Sequence, residues 1–228
     1  MAIASASKSG AKGDETRQRL KRCARGLFAR YGIETVTIRD IARQAGQKNG
    51  GSINYYFRSK EDLILEIVDD LASEADAFKI GMLDALEASG RPITVREILK
   101  ILVGDTAHKS SGSFRLFTML QLARRDLMHT AIPGRWDKAY TRCVAHLRRL
   151  LPELPEPILS QRLYFLIPYL WTFLATREGG RSQAQFWRRF WADPHTMENL
   201  LDTAMGLLLQ PPSEETLGAL KAGRTSSD

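Results

Sequence analysis

The chain has 228 residues, of which 43% are hydrophobic, so it can bury the core of one large or two modest domains. Its formal net charge of +7 is unevenly distributed, because residues 1–60 hold thirteen Lys and Arg against four Asp and Glu, whereas the remainder holds twenty and twenty-two. Leu, Ala, Arg and Glu recur at helical spacing and strand-like runs are short, which predicts an all-α protein.

Several classes of protein are disfavoured by the same sequence. The first residues lack the apolar core of a secretory signal, and the longest apolar stretch, 163–175, is too short to span a bilayer. Cys23 and Cys143 lack metal-ligand spacing and are expected to be free thiols in a reducing compartment. We therefore expect a cytoplasmic protein without a metal site or a membrane partner.

The N-terminal quarter is predicted to begin with a disordered basic arm, residues 1–13, because this segment is small, polar and basic. A first helix is predicted from about Asp14 to Tyr31, and Gly32 ends it. Its apolar stripe consists of Leu20, Ala24, Leu27, Phe28 and Tyr31.

Two short helices are predicted next. Thr37 is a suitable N-cap for the second helix, and Asp40 occupies the capping-box position. Gly46 ends this helix, and a third is predicted from about Asn49 to Phe57, with Ile53 and Phe57 as its inward anchors. Ser59 is predicted to cap a long fourth helix, from about residue 60 to residue 88.

The outward face of the third predicted helix suits a groove of DNA. Anchoring Ile53 and Phe57 in the core turns a polar face outward, and its small residues allow the backbone to approach a partner closely. Ser52 and Asn54 then reach toward base edges in a major groove. The helix N-terminus at Thr37 suits a phosphate oxygen.

The runs V-T-I-R-D-I-A-R-Q-A-G (36–46) and I-N-Y-Y-F-R-S-K-E-D-L (53–63) resemble the DNA-binding domain of the TetR family of bacterial transcriptional regulators. The match covers about residues 14–65. The A-G-Q-x-N run at 45–49 is similar to one branch of the family, and Asn54 replaces a Tyr found in many members. The resemblance implies an all-α homodimer of about nine helices. Three of them form a helix-turn-helix domain, and the rest bind a ligand and dimerise.

The resemblance also implies that Thr37 and Arg39 touch DNA and that Lys60 grips a phosphate. We accordingly assign residues 14–60 to a helix-turn-helix DNA-binding domain. The residues expected to contact DNA are Thr37, Arg39, Gln47, Lys48, Asn49, Gly51, Ser52, Asn54, Tyr55, Tyr56 and Lys60.

Residues 61–210 are predicted to form a helical effector-binding and dimerisation domain, followed by a flexible tail, 211–228. Beyond the fourth helix, the breaks at Gly and Pro predict helices near 93–109, 113–129, 134–151, 156–178, 182–192 and 195–210.

Aromatic side chains and a proline mark a candidate ligand pocket, because Pro168 is expected to bend an apolar helix. The candidate pocket residues are Phe114, Phe117, Trp136, Tyr140, Tyr164, Pro168 and Trp171, with ordinary core packing as the alternative. The last predicted helix carries a broad apolar stripe. Its candidate dimer-interface residues are Leu200, Leu201, Ala204 and Leu208.

No catalytic, nucleotide-binding or metal motif is present, so we do not expect an enzyme, and no cofactor is expected. The predicted function is that of a ligand-responsive, sequence-specific DNA-binding transcriptional regulator, more often a repressor. It would act as a homodimer on a palindromic double-stranded operator and respond to a small, largely apolar effector. The alternative is a helical small-molecule-binding protein or enzyme with non-specific affinity for nucleic acid.

Overall fold

Twelve α-helices and no strand make up the part of the chain that the structure, a computed structural model, describes: residues 3–47, 53–104, 113–132, 134–178 and 185–225. For residues 3–12 and 224–225 only the backbone is described. The all-α prediction is therefore confirmed. Within these ranges, no helix combines the length and the apolar character that crossing a membrane requires. The helices are α1 (Ile3–Tyr31), α2 (Ile38–Gln44), α3 (Ile53–Tyr56), α4 (Lys60–Ala88), α5 (Val95–Val103), α6 (Ser113–Ala123), α7 (Arg125–Ala131), α8 (Lys138–Leu150), α9 (Glu156–Arg177), α10 (Gln185–Ala192), α11 (Thr196–Leu209) and α12 (Glu214–Thr225).

The two ends of the chain differ from their predicted structure. α1 begins at Ile3, so it includes most of the segment predicted as a disordered arm, and the Ala and Lys residues there favour a helix. α12 lies inside the segment predicted as a flexible tail. The Ser213 hydroxyl accepts a hydrogen bond from the Thr216 N–H at 3.3 Å, which caps this helix. Composition alone therefore underestimated local helix formation.

Internal helix boundaries differ from the prediction as well. The helix predicted near 113–129 is divided into α6 and α7 at Arg124, whose φ of −138° and ψ of 55° are not helical. The Arg124 guanidinium forms ion pairs with Glu61 and Asp126, each at 3.4 Å, and these contacts accompany the break. α5 ends at Val103 because Gly104 adopts a positive φ of 71°.

Two apolar cores lie along α4, which spans 29 residues or about 43 Å. The first core joins α1, α2, α3, α6 and α7 to the N-terminal half of α4 and includes Phe28, Ile41 and Ile53. The second joins α5, α8, α9 and α11 to the C-terminal half and includes Leu83 and Leu166. Because Leu63 and Ile67 of α4 belong to the first core, that core extends beyond the predicted domain boundary at residue 60.

Ion pairs between α1 and α4 add to the apolar contacts of the first core. The Arg17 guanidinium pairs with Glu66, and the Lys21 ammonium lies 2.5 Å from the Asp70 carboxylate. Lys21 is only 5% exposed. Two of the thirteen basic residues before residue 61 are thus neutralised by acids that follow it, so the positive charge free to attract a polyanion is smaller than the sequence count implies.

Candidate nucleic-acid interface

A capping box fixes the start of α2, as predicted. The Thr37 hydroxyl accepts a hydrogen bond from the Asp40 N–H at 3.2 Å, and the Asp40 carboxylate accepts one from the Thr37 N–H at 3.0 Å. The hydroxyl also donates to that carboxylate at 2.6 Å. The hydrogen bond from the Thr37 hydroxyl is the main cause that lowers the pKa of Asp40, and the Thr37 backbone and the Arg43 charge act in the same direction. Asp40 is therefore ionised at neutral pH, and the exposed Thr37 is held in one conformation.

The inward anchors of α3 lie where the helical spacing placed them. Ile53 and Phe57 are buried in the first core, and the Phe57 N–H donates to the Ile53 carbonyl at 2.8 Å. The Arg17 guanidinium covers the ring of Phe57, with its central carbon 4.7 Å from the ring centroid. α3 is thereby held from behind by apolar contacts, which leaves its other face free.

The outward face of α3 carries the side chains predicted to contact DNA. Asn54 is exposed and Tyr55 is 85% exposed, whereas Tyr56 is half-buried and packs against the first core. The rings of Tyr55 and Tyr56 meet edge to face with centroids 5.1 Å apart, so Tyr56 orients its exposed neighbour. A large, exposed aromatic side chain beside an amide suits contacts with base edges and with thymine methyl groups.

Four predicted contact residues, Lys48, Asn49, Gly51 and Ser52, lie outside the described residues. Gln47, just before them, is half-buried, and its N–H donates to the Ala42 carbonyl at 2.9 Å. The preceding Gly46 has a positive φ of 70°, which closes α2 and turns the chain toward α3. The turn of the predicted helix-turn-helix motif thus begins where the sequence placed it.

Two further basic residues flank these helices. Arg39 is exposed on the first turn of α2. Lys60 begins α4, where the Ser59 hydroxyl accepts from the Asp62 N–H at 3.0 Å. Lys60 is half-buried, and its ammonium lies 6.0 Å from the centroid of the Phe28 ring, so its alkyl chain packs on the first core. Both positions suit contacts with phosphate oxygens.

The same part of the chain matches a known family of DNA-binding domains. Residues 22–67 match the model of the bacterial regulatory proteins of the tetR family. The resemblance to the TetR family is thus confirmed for residues 22–67. The curated HTH-type transcriptional dual regulator CecR of Shigella flexneri is 48% identical to the chain over 54 residues. This alignment covers 24% of the present chain and only 23% of the length of CecR, so it relates less than a quarter of each protein.

One solved structure shares the fold of most of the chain. A transcriptional regulator from Rhodococcus sp. Rha1 superposes with a TM-score of 0.54 at 18% identity, covering 85% of this chain and 96% of the other. At that identity the likeness shows a shared fold and nothing finer. The superantigen PfiT aligns over 85% of this chain with a TM-score of only 0.34, too low to support an argument. The helices that follow the TetR-family domain thus have a counterpart in a solved regulator.

The candidate pocket residues are divided between the two cores and the surface. Phe117, Trp136 and Trp171 belong to the first core, where the rings of Phe117 and Trp171 stack at 5.4 Å. The Trp136 indole N–H donates to the Asp69 carboxylate at 2.7 Å. Phe114 packs instead against the second core.

The other candidate pocket residues lie on α8 and α9. Tyr140 is exposed, Tyr164 is 79% exposed and Pro168 is half-buried within an α9 that continues from Glu156 to Arg177. The structure therefore does not gather the seven residues around one site. An effector pocket formed by all of them stays a prediction, and the uninterrupted course of α9 does not favour it.

The four residues predicted for a dimer interface occupy a different place. Leu200, Leu201, Ala204 and Leu208 are all buried in the second core of the single chain, so the broad stripe of α11 packs against its own α5 and α9. A dimer contact through these four side chains stays a prediction, and their burial within the single chain does not favour it. Periodicity identified a buried face but cannot tell which surface covers it.

A buried carboxylate on α4, with a half-buried lysine one turn later, escaped the sequence analysis. Asp76 is buried, and its carboxylate accepts a hydrogen bond from the Ala139 N–H at 2.8 Å, at the start of α8. Lys79 follows it by three residues and therefore shares its helix face. The signal was present in the sequence, since both residues lie on the face of α4 that continues to the buried Leu83.

Proposed function

We propose that the protein is a transcriptional regulator that binds a palindromic DNA operator as a homodimer and that a small-molecule effector controls. The observation that supports the DNA-binding part most directly is the pair Asn54 and Tyr55, exposed on a helix that Ile53 and Phe57 anchor from behind. The surrounding residues 22–67 match the tetR-family model, and this match supports a DNA-binding role for the helix.

We assign distinct roles to the residues of this surface. α3 would enter the major groove and present Asn54 and Tyr55 to base edges, while Thr37 and Lys60 would hold phosphates on either side. The predicted contacts of Lys48, Asn49, Gly51 and Ser52 belong to the same proposal. Because the two halves of a symmetric dimer present α3 twice, the operator should be palindromic.

The DNA-binding assignment is tested by footprinting on the DNA upstream of the coding region. The protein should protect a palindrome, and the double variant Asn54→Ala, Tyr55→Ala should abolish protection while folding normally, because both side chains are exposed. Leu122→Ala, which removes an exposed apolar side chain from α6, is the control and should bind as the unaltered protein does. Unchanged protection by the double variant would contradict the proposed base contacts.

The proposed contact of Lys60 with a DNA phosphate is tested by the salt dependence of binding. Lys60→Ala should weaken binding to specific and unrelated duplexes alike, and it should reduce the slope of log affinity against log salt by about one. Arg91→Ala, which removes an exposed base before α5, should leave the slope unchanged. A loss confined to the specific operator would instead assign Lys60 to base recognition.

We propose that the homodimer forms through an exposed face of α9 and not through the buried stripe of α11. Tyr164 and Phe165 are 79% and 63% exposed on the outer face of α9, and large exposed aromatic side chains in neighbouring positions mark interaction sites. A second copy related by a two-fold axis would bury this face against itself.

Effector control and repression complete the proposal. The second core, with α5, α8, α9 and α11 around the C-terminal half of α4, would hold the effector, and the continuous α4 would carry the change to the first core. A dimer seated on an operator blocks access to the DNA beneath it, so we propose repression that the effector relieves. Reporter expression with and without the chain decides the sign of control.

A further inference from the structure

The basic residues of α1 are divided between two opposite faces of the helix. On the inner face, Arg17 and Lys21 form ion pairs with acids of α4. Arg25 follows at the same spacing of four residues, is half-buried and interacts electrostatically with Glu74, which also belongs to α4. The charges of this inner face are therefore engaged within the chain.

The outer face of α1 carries a second set of basic residues. Arg19 and Arg22 are exposed, and among the described residues no carboxylate forms an ion pair with either of them. Arg30 is also exposed, and the central carbon of its guanidinium lies 5.1 Å from the ring centroid of the adjacent Tyr31. At roughly 100° per residue, these arginines and two lysines nearer the N-terminus fall within about 80° of one another. We call this set the outer stripe of α1: Lys8, Lys12, Arg19, Arg22 and Arg30.

The residues between these basic positions favour a polyanion as the partner of the outer stripe. From Lys8 to Arg30, Glu15 is the single acid in this sector of the helix, and Gly26 contributes no side chain. No apolar residue falls in the same sector. A membrane surface or an apolar protein groove would require apolar side chains there, whereas a row of cations attracts closely spaced negative charges.

The length of the outer stripe matches about one turn of a DNA duplex. α1 is continuous from Ile3 to Tyr31, so Lys8 and Arg30 are separated by about 33 Å along the helix axis. One turn of B-DNA is about 34–36 Å long and presents one negative charge for roughly every 1.7 Å. An unbroken helix holds its cations in a row of fixed spacing, which a disordered arm would not do.

The outer stripe belongs to the same packed unit as the helix proposed to read DNA. α1 and α3 share the first core, and the Arg17 guanidinium covers the ring of Phe57, just after α3. Toward its N-terminus α1 continues from Arg17 to Ile3, about 21 Å beyond this contact. The stripe is thus carried by a helix that helps to hold α3, and the core fixes its position relative to α3.

We propose that the outer stripe of α1 binds phosphates of the duplex that flanks the half-site contacted by α3. The proposal rests on the proposed function, because it adds a second surface that contacts the same DNA. Phosphates carry no direct sequence information, so these contacts raise the affinity for any flanking duplex and leave the sequence preference to α3. The inner-face bases Arg17 and Lys21 take no part, since acids of α4 neutralise them.

Binding of the full chain to duplexes of two lengths tests the outer stripe. One duplex ends at the edges of the palindrome upstream of the coding region, and the other adds about one turn of unrelated sequence on each side. The unaltered protein should bind the longer duplex about tenfold more tightly at low salt, with a steeper slope of log affinity against log salt. Arg19→Gln with Arg22→Gln should remove this advantage and reduce the slope on the longer duplex by about two for each subunit bound.

The matched control is Arg188→Gln with Arg189→Gln, which removes two exposed arginines from α10. It changes the net charge by the same amount as the α1 variant and should keep the advantage of the longer duplex. Both variants should leave Tm unchanged, because all four side chains are exposed on helix surfaces.

Three results would overturn the proposal: equal affinity of the unaltered protein for the two duplexes, an undiminished advantage of the longer duplex in the α1 variant, or an equal loss in the α10 control. Scrambling the palindrome separates this surface from the proposed function. A preference for the intact palindrome without any effect of flanking length leaves the regulator standing and removes the stripe. An effect of flanking length that depends on Arg19 and Arg22, without preference for the palindrome, keeps the stripe and removes sequence-specific regulation.

Discussion

At the scale of single residues, Thr37 and Thr94 share one local geometry but are proposed to have different roles. Each begins a helix with a capping box, in which the hydroxyl accepts from the N–H three residues later and a carboxylate accepts from the N–H of the threonine. Both boxes follow from sequence, because a threonine with an acidic residue three positions on is enough to form them. Only Thr37 lies beside α3, so only there does the cap also orient a surface proposed to contact DNA.

Replacing these two threonines separates stability from recognition. Thr37→Ala and Thr94→Ala should each lower the free energy of unfolding by about 1 kcal/mol, because each removes one helix cap. DNA affinity should fall for Thr37→Ala and stay unchanged for Thr94→Ala, as measured by titration with operator duplex. Equal DNA affinity in the two variants would mean that Thr37 is a cap and nothing more.

At the scale of helices, α1 and α4 are joined by charges as well as by apolar packing. Lys21 is nearly covered, and its ammonium pairs with Asp70 and lies 3.8 Å from Glu66. The sequence count divided the chain at residue 60 and so separated these partners. Ion pairs between distant positions are invisible to such a count, because only the packing of one helix on another brings them together.

The α1–α4 contact has a measurable energetic consequence. Lys21→Ala should lower the free energy of unfolding by about 1–3 kcal/mol, because it removes a buried base and leaves the Asp70 carboxylate without its partner, while Glu66 keeps Arg17. Arg43→Ala, which breaks an exposed pair with Asp40, should have no measurable effect in the same denaturant titration. Similar losses in the two variants would show that burial of Lys21 does not strengthen its ion pair.

At the scale of the whole molecule, the apolar residues of α9 and α11 are divided between core and surface. The apolar stripe of α11 is buried within the chain, whereas Tyr164 and Phe165 of α9 remain exposed. The apolar pattern predicted the dimer interface on α11, yet it is α9 that exposes large aromatic side chains. Their difference arises from the helices that pack against them, which is a property of the complete fold.

A charge placed on the exposed face of α9 tests the proposed homodimer. Phe165→Glu should convert a dimer into a monomer in sedimentation equilibrium, because a dimer would bury the new carboxylate without a partner. The monomer should also lose operator binding, since each half-site alone is bound more weakly. Leu122→Glu, at an 80% exposed position on α6, should remain dimeric. A dimer that survives Phe165→Glu would place the interface elsewhere.

Local sequence patterns were sufficient to predict much of the structure of the N-terminal region. The cap at Thr37, the end of α2 at Gly46 and the burial of Ile53 and Phe57 depend on neighbours within a few residues, and each agrees with the prediction. The tetR-family match over residues 22–67 lies in the same segment. The predicted helix boundaries were less accurate where a long-range contact is present. At Arg124, for example, the ion pair with Glu61 joins residues that are far apart in the chain.

The sequence by itself determined that the chain is all-α, where α1 ends, where α2 and α4 begin, and which residues of α3 are buried, because hydrogen-bonded caps and helical periodicity are local. The tertiary structure alone decided which apolar stripes are covered, that Lys21 is paired with Asp70, and that the candidate pocket aromatics are dispersed. Those outcomes depend on which helices meet. A side chain's burial and counter-charge come from residues that are distant in sequence and adjacent only in the fold.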